Sequence, residues 1–148
     1  MNLRIAARFA LLASSATTSG AALAEAPVAL DSAVFVERLS ENNVRSLEPA
    51  TRLNRGDRVV TVVSWQRFGR ASAPNGFTLV NPLPRAIAYQ ASAREQEEVS
   101  VDGGRSWGRI GALRIGSRLA TPEDVTHVRW RLPATAGSGR IAYSGIVR

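Results

Sequence analysis

The chain has 148 residues, 45% of them hydrophobic, no cysteine, and a formal charge of +7 in which all 19 basic residues are arginine, set against 12 acids. That hydrophobic fraction excludes wholesale disorder, and the length suits one domain with a real core rather than two. The missing cysteine excludes both a disulfide framework and a lipid anchor on a cysteine, so the core has to hold the fold unaided.

The first element in chain order is a leader. Arg4 and Arg8 form a basic start, residues 9–16 a short apolar run, and Ala22-Leu23-Ala24 a small-residue cleavage site before Glu25. This predicts a secretory signal peptide over 1–24, too short to span a bilayer. No later apolar run approaches membrane-helix length, so the expected mature form has no transmembrane anchor and is periplasmic or secreted. Two of the 19 arginines lie in the leader, which leaves 17 against 12 acids, a balance of +5. Genomic composition bias accounts for the exclusive use of arginine. The functional alternative is a surface favouring anionic partners, since guanidinium forks bind carboxylate and phosphate bidentately.

Residues 25–32 read as a flexible lead-in to a single domain over 33–148. A first strand is expected over 33–39, with Val34, Val36 and Arg38 on one face and Phe35 and Leu39 on the other. Residues 40–54 are polar and irregular, and Arg55-Gly56-Asp57 marks a turn. The strongest strand pattern is 59–65: Val59, Val63 and Trp65 on one face, Val60 and Val62 on the other, which places it centrally in a sheet. After a loop at 69–76, short strands are expected at 77–80, stopped by Asn81-Pro82, and at 87–91. An acidic stretch, 95–98, is expected to be solvated; 99–101 then enters a hairpin turn at Asp102-Gly103-Gly104. One short strand fits near 113–115, and Thr121-Pro122-Glu123-Asp124 has the form of a single helical turn. Val128, Trp130 and Leu132 alternate against outward His127, Arg129 and Arg131, and Ile141, Tyr143 and Val147 face the core after a Gly137-Ser138-Gly139 turn. About seven short strands between turn signals predict an all-β sandwich whose core holds Val63, Trp65, Val128, Trp130, Leu132, Ile141 and Tyr143.

Gly56-Asp57-Arg58-Val59-Val60-Thr61-Val62-Val63, Asn81-Pro82-Leu83-Pro84, Ser100-Val101-Asp102-Gly103-Gly104 and Asp124-Val125-Thr126-His127-Val128-Arg129-Trp130 occur in that order. The series resembles the bacterial conserved-repeat domain of unknown function, number eleven in its naming series, over roughly 52–148. That resemblance implies an immunoglobulin-like β-sandwich in an exported or surface protein, and no catalytic residues. The chain departs from the pattern at Thr61, where the family has an aromatic residue, and at Arg67, where it has an asparagine. Trp65 or Phe68 is expected to fill the core near Thr61.

Residues 100–107, Ser-Val-Asp-Gly-Gly-Arg-Ser-Trp, are also similar to the Asp-box, S-x-D-x-G-x-[ST]-W. There the aspartate accepts turn N–H groups, glycine permits positive φ, and the tryptophan packs beneath. It recurs once per blade in sialidase-like propellers; a single copy is a structural turn. His127, the lone histidine, sits beside Arg129 and Arg131, which repel a cation, so it is expected at the surface rather than on a metal. Asp124 lies three residues from it, but no G-x-S-x-G elbow presents a serine. Glu95, Glu97, Glu98 and Asp102 supply carboxylates for a glycosidase pair in principle, though acids beside a hairpin more often form a solvated edge. Among the tryptophans, Trp65 and Trp130 are expected in the core, and Trp107 is the one placed to stack on a ligand. Arg105, Arg109, Arg114 and Arg118 form the best candidate cationic patch. Phosphate-binding glycine loops are absent, and export argues against nucleic acid as partner. The sequence thus predicts a non-enzymatic envelope or extracellular module without cofactor or metal, its partner a protein or glycan. An arginine-mediated binder of anionic polysaccharide or lipid head groups is the alternative, and a glycan hydrolase the remote one.

Overall fold

The computed structural model describes residues 28–68, 75–92 and 97–148, so the expected leader over 1–24, most of the 69–76 loop, and Glu95 lie outside the described residues. Ten strands and one 3-10 turn make up the described chain: β1 Val28–Leu39, β2 Arg45–Pro49, β3 Arg58–Arg67, β4 Phe77–Pro82, β5 Ile87–Ser92, β6 Glu97–Ser100, β7 Arg114–Ile115, β8 Arg118–Leu119, the turn Pro122–Asp124, β9 His127–Leu132 and β10 Ser138–Val147. They form open antiparallel sheets. The larger runs β2-β1-β3-β10-β5, the smaller β4-β9-β6, and β7 with β8 makes a two-stranded ribbon.

The expected centrality of residues 59–65 is observed, since β3 is the middle strand of five. Its alternation is complete: Val59, Thr61, Val63 and Trp65 are buried, while Val60, Val62 and Ser64 are half-buried on the opposite face. One cluster joins the sheets, with Val63, Trp65, Tyr89, Ile141 and Tyr143 from the larger meeting Leu79, Val99, Val128, Trp130 and Leu132 from the smaller. All seven expected core residues belong to it. Trp130 lies 6.0 Å from Tyr143 between ring centroids. Gly139 stands opposite Trp65, and a Cβ there would overlap the indole, so the closeness of β10 to β3 requires glycine.

Several expectations are corrected. β1 begins at Val28, inside the expected 25–32 lead-in, because its first nine residues pair with β3 from Val28↔Arg67 to Val36↔Val59. The stretch 40–54 is not irregular throughout: β2 closes a hairpin onto β1 through Asn43, a non-glycine residue at φ 61. Asn81 and Pro82 do not stop β4; it continues to Pro82, and as an edge strand it tolerates a residue without a donor. The single short strand near 113–115 is instead the β7–β8 pair. The turn before β10 falls at Pro133–Ala136, closed by Ala136 N donating to Pro133 O, and Ser138 and Gly139 are already in strand. Phe68 is 48% exposed and fills nothing near Thr61. That space belongs to Tyr143, Thr61's register partner, whose hydroxyl contacts Thr61 and accepts from Asn81 Nδ2 at 2.7 Å.

Candidate functional site

The segment 100–107 folds back over the outer face of the smaller sheet. Val99 and Gly108 close it with a reciprocal pair of backbone hydrogen bonds, Val99 N to Gly108 O at 2.8 Å and Gly108 N to Val99 O at 3.1 Å. Asp102 organises it. Its Oδ1 accepts from Arg105 N at 3.0 Å, Ser106 N at 2.9 Å and Ser100 Oγ at 2.7 Å, and its Oδ2 from Ser106 Oγ at 2.6 Å. The Ser106 hydroxyl, the Ser106 N–H and the other donors hold this carboxyl well below the usual carboxylate range. Gly103 and Gly104 have φ of 81° and 90°, a conformation side chains disfavour. Ser100 is fully buried and its Oγ accepts from Gly104 N at 2.8 Å. Thr126 ties the loop to β9, its hydroxyl accepting from Gly103 N and donating to Ser100 O, each at 3.1 Å. The expected turn is present, as a longer loop than a simple hairpin turn.

Trp107 ends this loop with its Nε1 donating to Gly104 O at 3.0 Å. One ring face is covered: the Arg129 guanidinium carbon sits 4.5 Å from the ring centroid, and His127 meets Trp107 edge-on at 6.3 Å. Arg129 in turn gives Nε to Glu98 Oε2 at 2.8 Å, and Arg131 Nε lies 3.3 Å from the same oxygen. Glu98 is held below its ordinary value, chiefly by the Arg129 bond. Arg129 and Arg131 therefore face outward as expected, but Arg129 is sandwiched between Trp107 and Glu98. His127 is half-buried rather than a plain surface histidine, with Nδ1 3.0 Å from Thr126 Oγ1. Asp124 does not serve it. Asp124 binds Arg118 bidentately at 2.6 and 2.8 Å and accepts from Thr121 N at 2.8 Å, which together depress its pKa.

The expected arginine patch is divided by these bonds. Arg118 is held by Asp124, and Arg114 donates to Ser117 O at 2.6 Å. Arg105 and Arg109 are exposed, and neither forms an ion pair among the described residues.

Glu97 departs from the expected solvated stretch. It stands opposite Trp130 on the core face, where Tyr89 donates its hydroxyl to Glu97 Oε1, and the other carboxylate oxygen is buried without a hydrogen-bond partner. Burial pushes its pKa up, and burial together with Glu97 does the same to Tyr89. A recess of about 170 Å³ opens here between Tyr89, Glu97, Val99 and Arg109. The signal for this placement was in the sequence: Glu97 is two residues before Val99, so both lie on one face of a strand.

A wider open groove of about 590 Å³ lies at the β5 edge, with Arg58, Arg148 and Glu123 at its rim. No group of three or more acids and histidines placed to hold a metal occurs among the described residues, and no helix there is long and apolar enough to cross a membrane. Comparison with family models, curated proteins and solved structures finds no match to this chain.

Proposed function

We propose that the chain is an exported, non-catalytic module of the immunoglobulin-like sandwich type, working in the cell envelope or outside the cell through contacts rather than chemistry. One observation carries this reading. Among the described residues, Asp102 is engaged by its own loop, Asp124 by Arg118 and Glu98 by Arg129 and Arg131, while Glu97 accepts from Tyr89 in a recess lined by no second carboxyl. A general acid–base pair needs carboxyls facing a common substrate position, and these face different structural partners. The leader pattern and the order of the four conserved-repeat segments support the same assignment. Mass spectrometry of the protein from its host should find Glu25 as the N-terminus in the periplasmic or extracellular fraction. An intact chain beginning at Met1 in the cytoplasm overturns the export half of the proposal. Loss of a measured hydrolytic activity on Glu97→Gln or Asp102→Asn overturns the other half.

A second reading, binding of anionic polysaccharide or lipid head groups, is favoured by the exposure of Arg105 and Arg109 outside any described ion pair.

A further inference from the structure

The larger sheet carries apolar side chains on both faces. Its core face is closed, with Val59, Val63, Ile141 and Tyr143 exposed by 1–4%. Its outer face carries Phe35, Val60, Val62, Ala142 and Ile146, all half-buried, and Leu47, which is 51% exposed. An antiparallel sheet with one solvated face ordinarily alternates apolar with polar, yet in the middle of this outer face β3 and β10 present Val60, Val62, Ala142 and Ile146, with Arg58, Ser64, Arg140 and Ser144 beside them.

The register specifies what fits this face. Phe35, Val60 and Ser144 form one row across β1, β3 and β10; Ala33, Val62 and Ala142 form the next; Asp31, Ser64 and Arg140 the third. On the other side of the Phe35 row, Leu47 and Glu37 of β2 and β1 line up with Ile146 and Ala88 of β10 and β5. In two pairs a large side chain on the β1 side of β3 is matched by a small one on the β10 side, Phe35 by Ser144 and Leu47 by Ala88. The acid of the third row is on the first side and its arginine on the second.

We propose that this outer face packs against the same face of a second copy of the chain, about a two-fold axis running parallel to β3. Such an axis sets Phe35 over the partner's Ser144 and Leu47 over the partner's Ala88, so large side chains meet small ones. Val60 and Val62 meet their own counterparts. Asp31 meets the partner's Arg140, twice over, and neither residue has an ion pair among the described residues of its own chain. Arg58 lies on the axis opposite its own counterpart and Glu37 faces the partner's Ile146; each Arg58 is 3.2 Å from its own Glu37, whose carboxylate also holds Arg45 at 3.0 Å. β1, β3 and β10 run nine residues in register and β2 and β5 add five and six residues at the edges, so at about 4.8 Å between strands and about 3.4 Å per residue the face covers on the order of 600 Å². With side-chain relief, that approaches the roughly 800 Å² per partner of a standard stable interface. Face-to-face sheets about 10 Å apart are the ordinary way to bury a pleated apolar surface. This self-association holds whether or not the module is exported and whatever else it contacts.

Sedimentation equilibrium of the chain purified from its host tests the proposal, with native mass spectrometry as a second measure. A dimer is expected at micromolar concentration. Val62→Arg should raise its dissociation constant by about 30-fold or more, the mark of a central contact, with an unchanged circular dichroism spectrum. Asp31→Arg and Arg140→Asp, both at exposed positions, should each weaken it by about 10-fold, and the double exchange should recover most of the loss. A chain that stays monomeric at about 100 μM, a dimer indifferent to Val62→Arg, or a double exchange no better than its single parents overturns the proposal.

Discussion

Replacing Trp130 with alanine tests the architecture directly. Trp130 is 2% exposed, lies on the core face of the middle strand of the smaller sheet, and packs against Tyr143 across the gap between sheets. Truncation removes on the order of 150 Å² of buried apolar surface, about 4 kcal/mol at 25–30 cal/mol per Å², in line with the 3–5 kcal/mol common for buried Trp→Ala changes. The indole Nε1 also loses its long bond to Ser92 Oγ at 3.4 Å, a minor addition. A domain of this size has roughly 5–15 kcal/mol of total stability, and no disulfide supplements it here, so the variant stands near the threshold of folding. Urea denaturation followed by far-UV circular dichroism should show a midpoint lower by about 2 M for a slope near 2 kcal/mol per M, or no folded baseline at all. Trp107→Ala is the internal comparison. It forfeits one hydrogen bond and one guanidinium contact, about 1–2 kcal/mol together. A Trp130→Ala loss no larger than that of Trp107→Ala would refute the placement of Trp130 between two sheets.

Glu97→Gln keeps an acceptor for Tyr89 and removes a charge that burial disfavours. A carboxyl whose folded pKa is raised above 4.5 lowers stability as pH rises from that value to the folded one, so the variant should melt with the wild type near pH 4 and above it at pH 7. Glu98 and Asp124, both depressed, cause the opposite loss of stability as pH falls below about 4.5, equally in both proteins, so the difference between the two melting curves isolates Glu97. A variant less stable at pH 7 would show that the ionised carboxylate is needed. Asp102→Ala should lower the melting temperature by a few degrees and speed amide exchange at Arg105 and Ser106, the two N–H groups it holds, while β9 stays protected. Binding to an acidic polysaccharide, if only general electrostatics, should fade between low and physiological salt with each Arg→Ala change mattering little; tight binding at physiological salt lost in Arg105→Ala or Arg109→Ala would establish the second reading instead.

Much of the core was legible because period-two alternation is a direct image of a half-buried strand. Val128, Trp130 and Leu132, and Ile141 and Tyr143, needed no tertiary information beyond the existence of a second layer. β2 was not legible. Arg45–Pro49 is exposed along its whole length, so no face of it carries a hydrophobic signature, and it is a strand only because β1 offers an edge. The same holds for Val28–Ser32, whose side chains are mostly exposed and whose strand character comes from pairing with β3. The arginine patch failed for a different reason. Even spacing in sequence says nothing about which guanidinium finds a carboxylate, and the 3-10 turn brings Asp124 under Arg118, six residues back.

The two-sided apolarity of β3 has two separate causes, and only one of them is centrality. A central position satisfies both edges of a strand through hydrogen bonds to β1 and β10, but an edge partner covers no side chain. Burying a face requires a layer over it. The smaller sheet supplies that layer for Val59, Val63 and Trp65, and the contrast between their exposure and that of Val60 and Val62 shows that no described element supplies it on the other side. β3 carries Arg58, Ser64 and Gln66 outward towards its ends, as β9 carries Arg129 and Arg131 on the smaller sheet, so the valines in its middle are the positions that centrality leaves unexplained. The outward valines therefore suit a second layer from outside the described residues, and the proposed pairing of this face with itself supplies one in which Phe35 lies over the partner's Ser144 and Leu47 over the partner's Ala88.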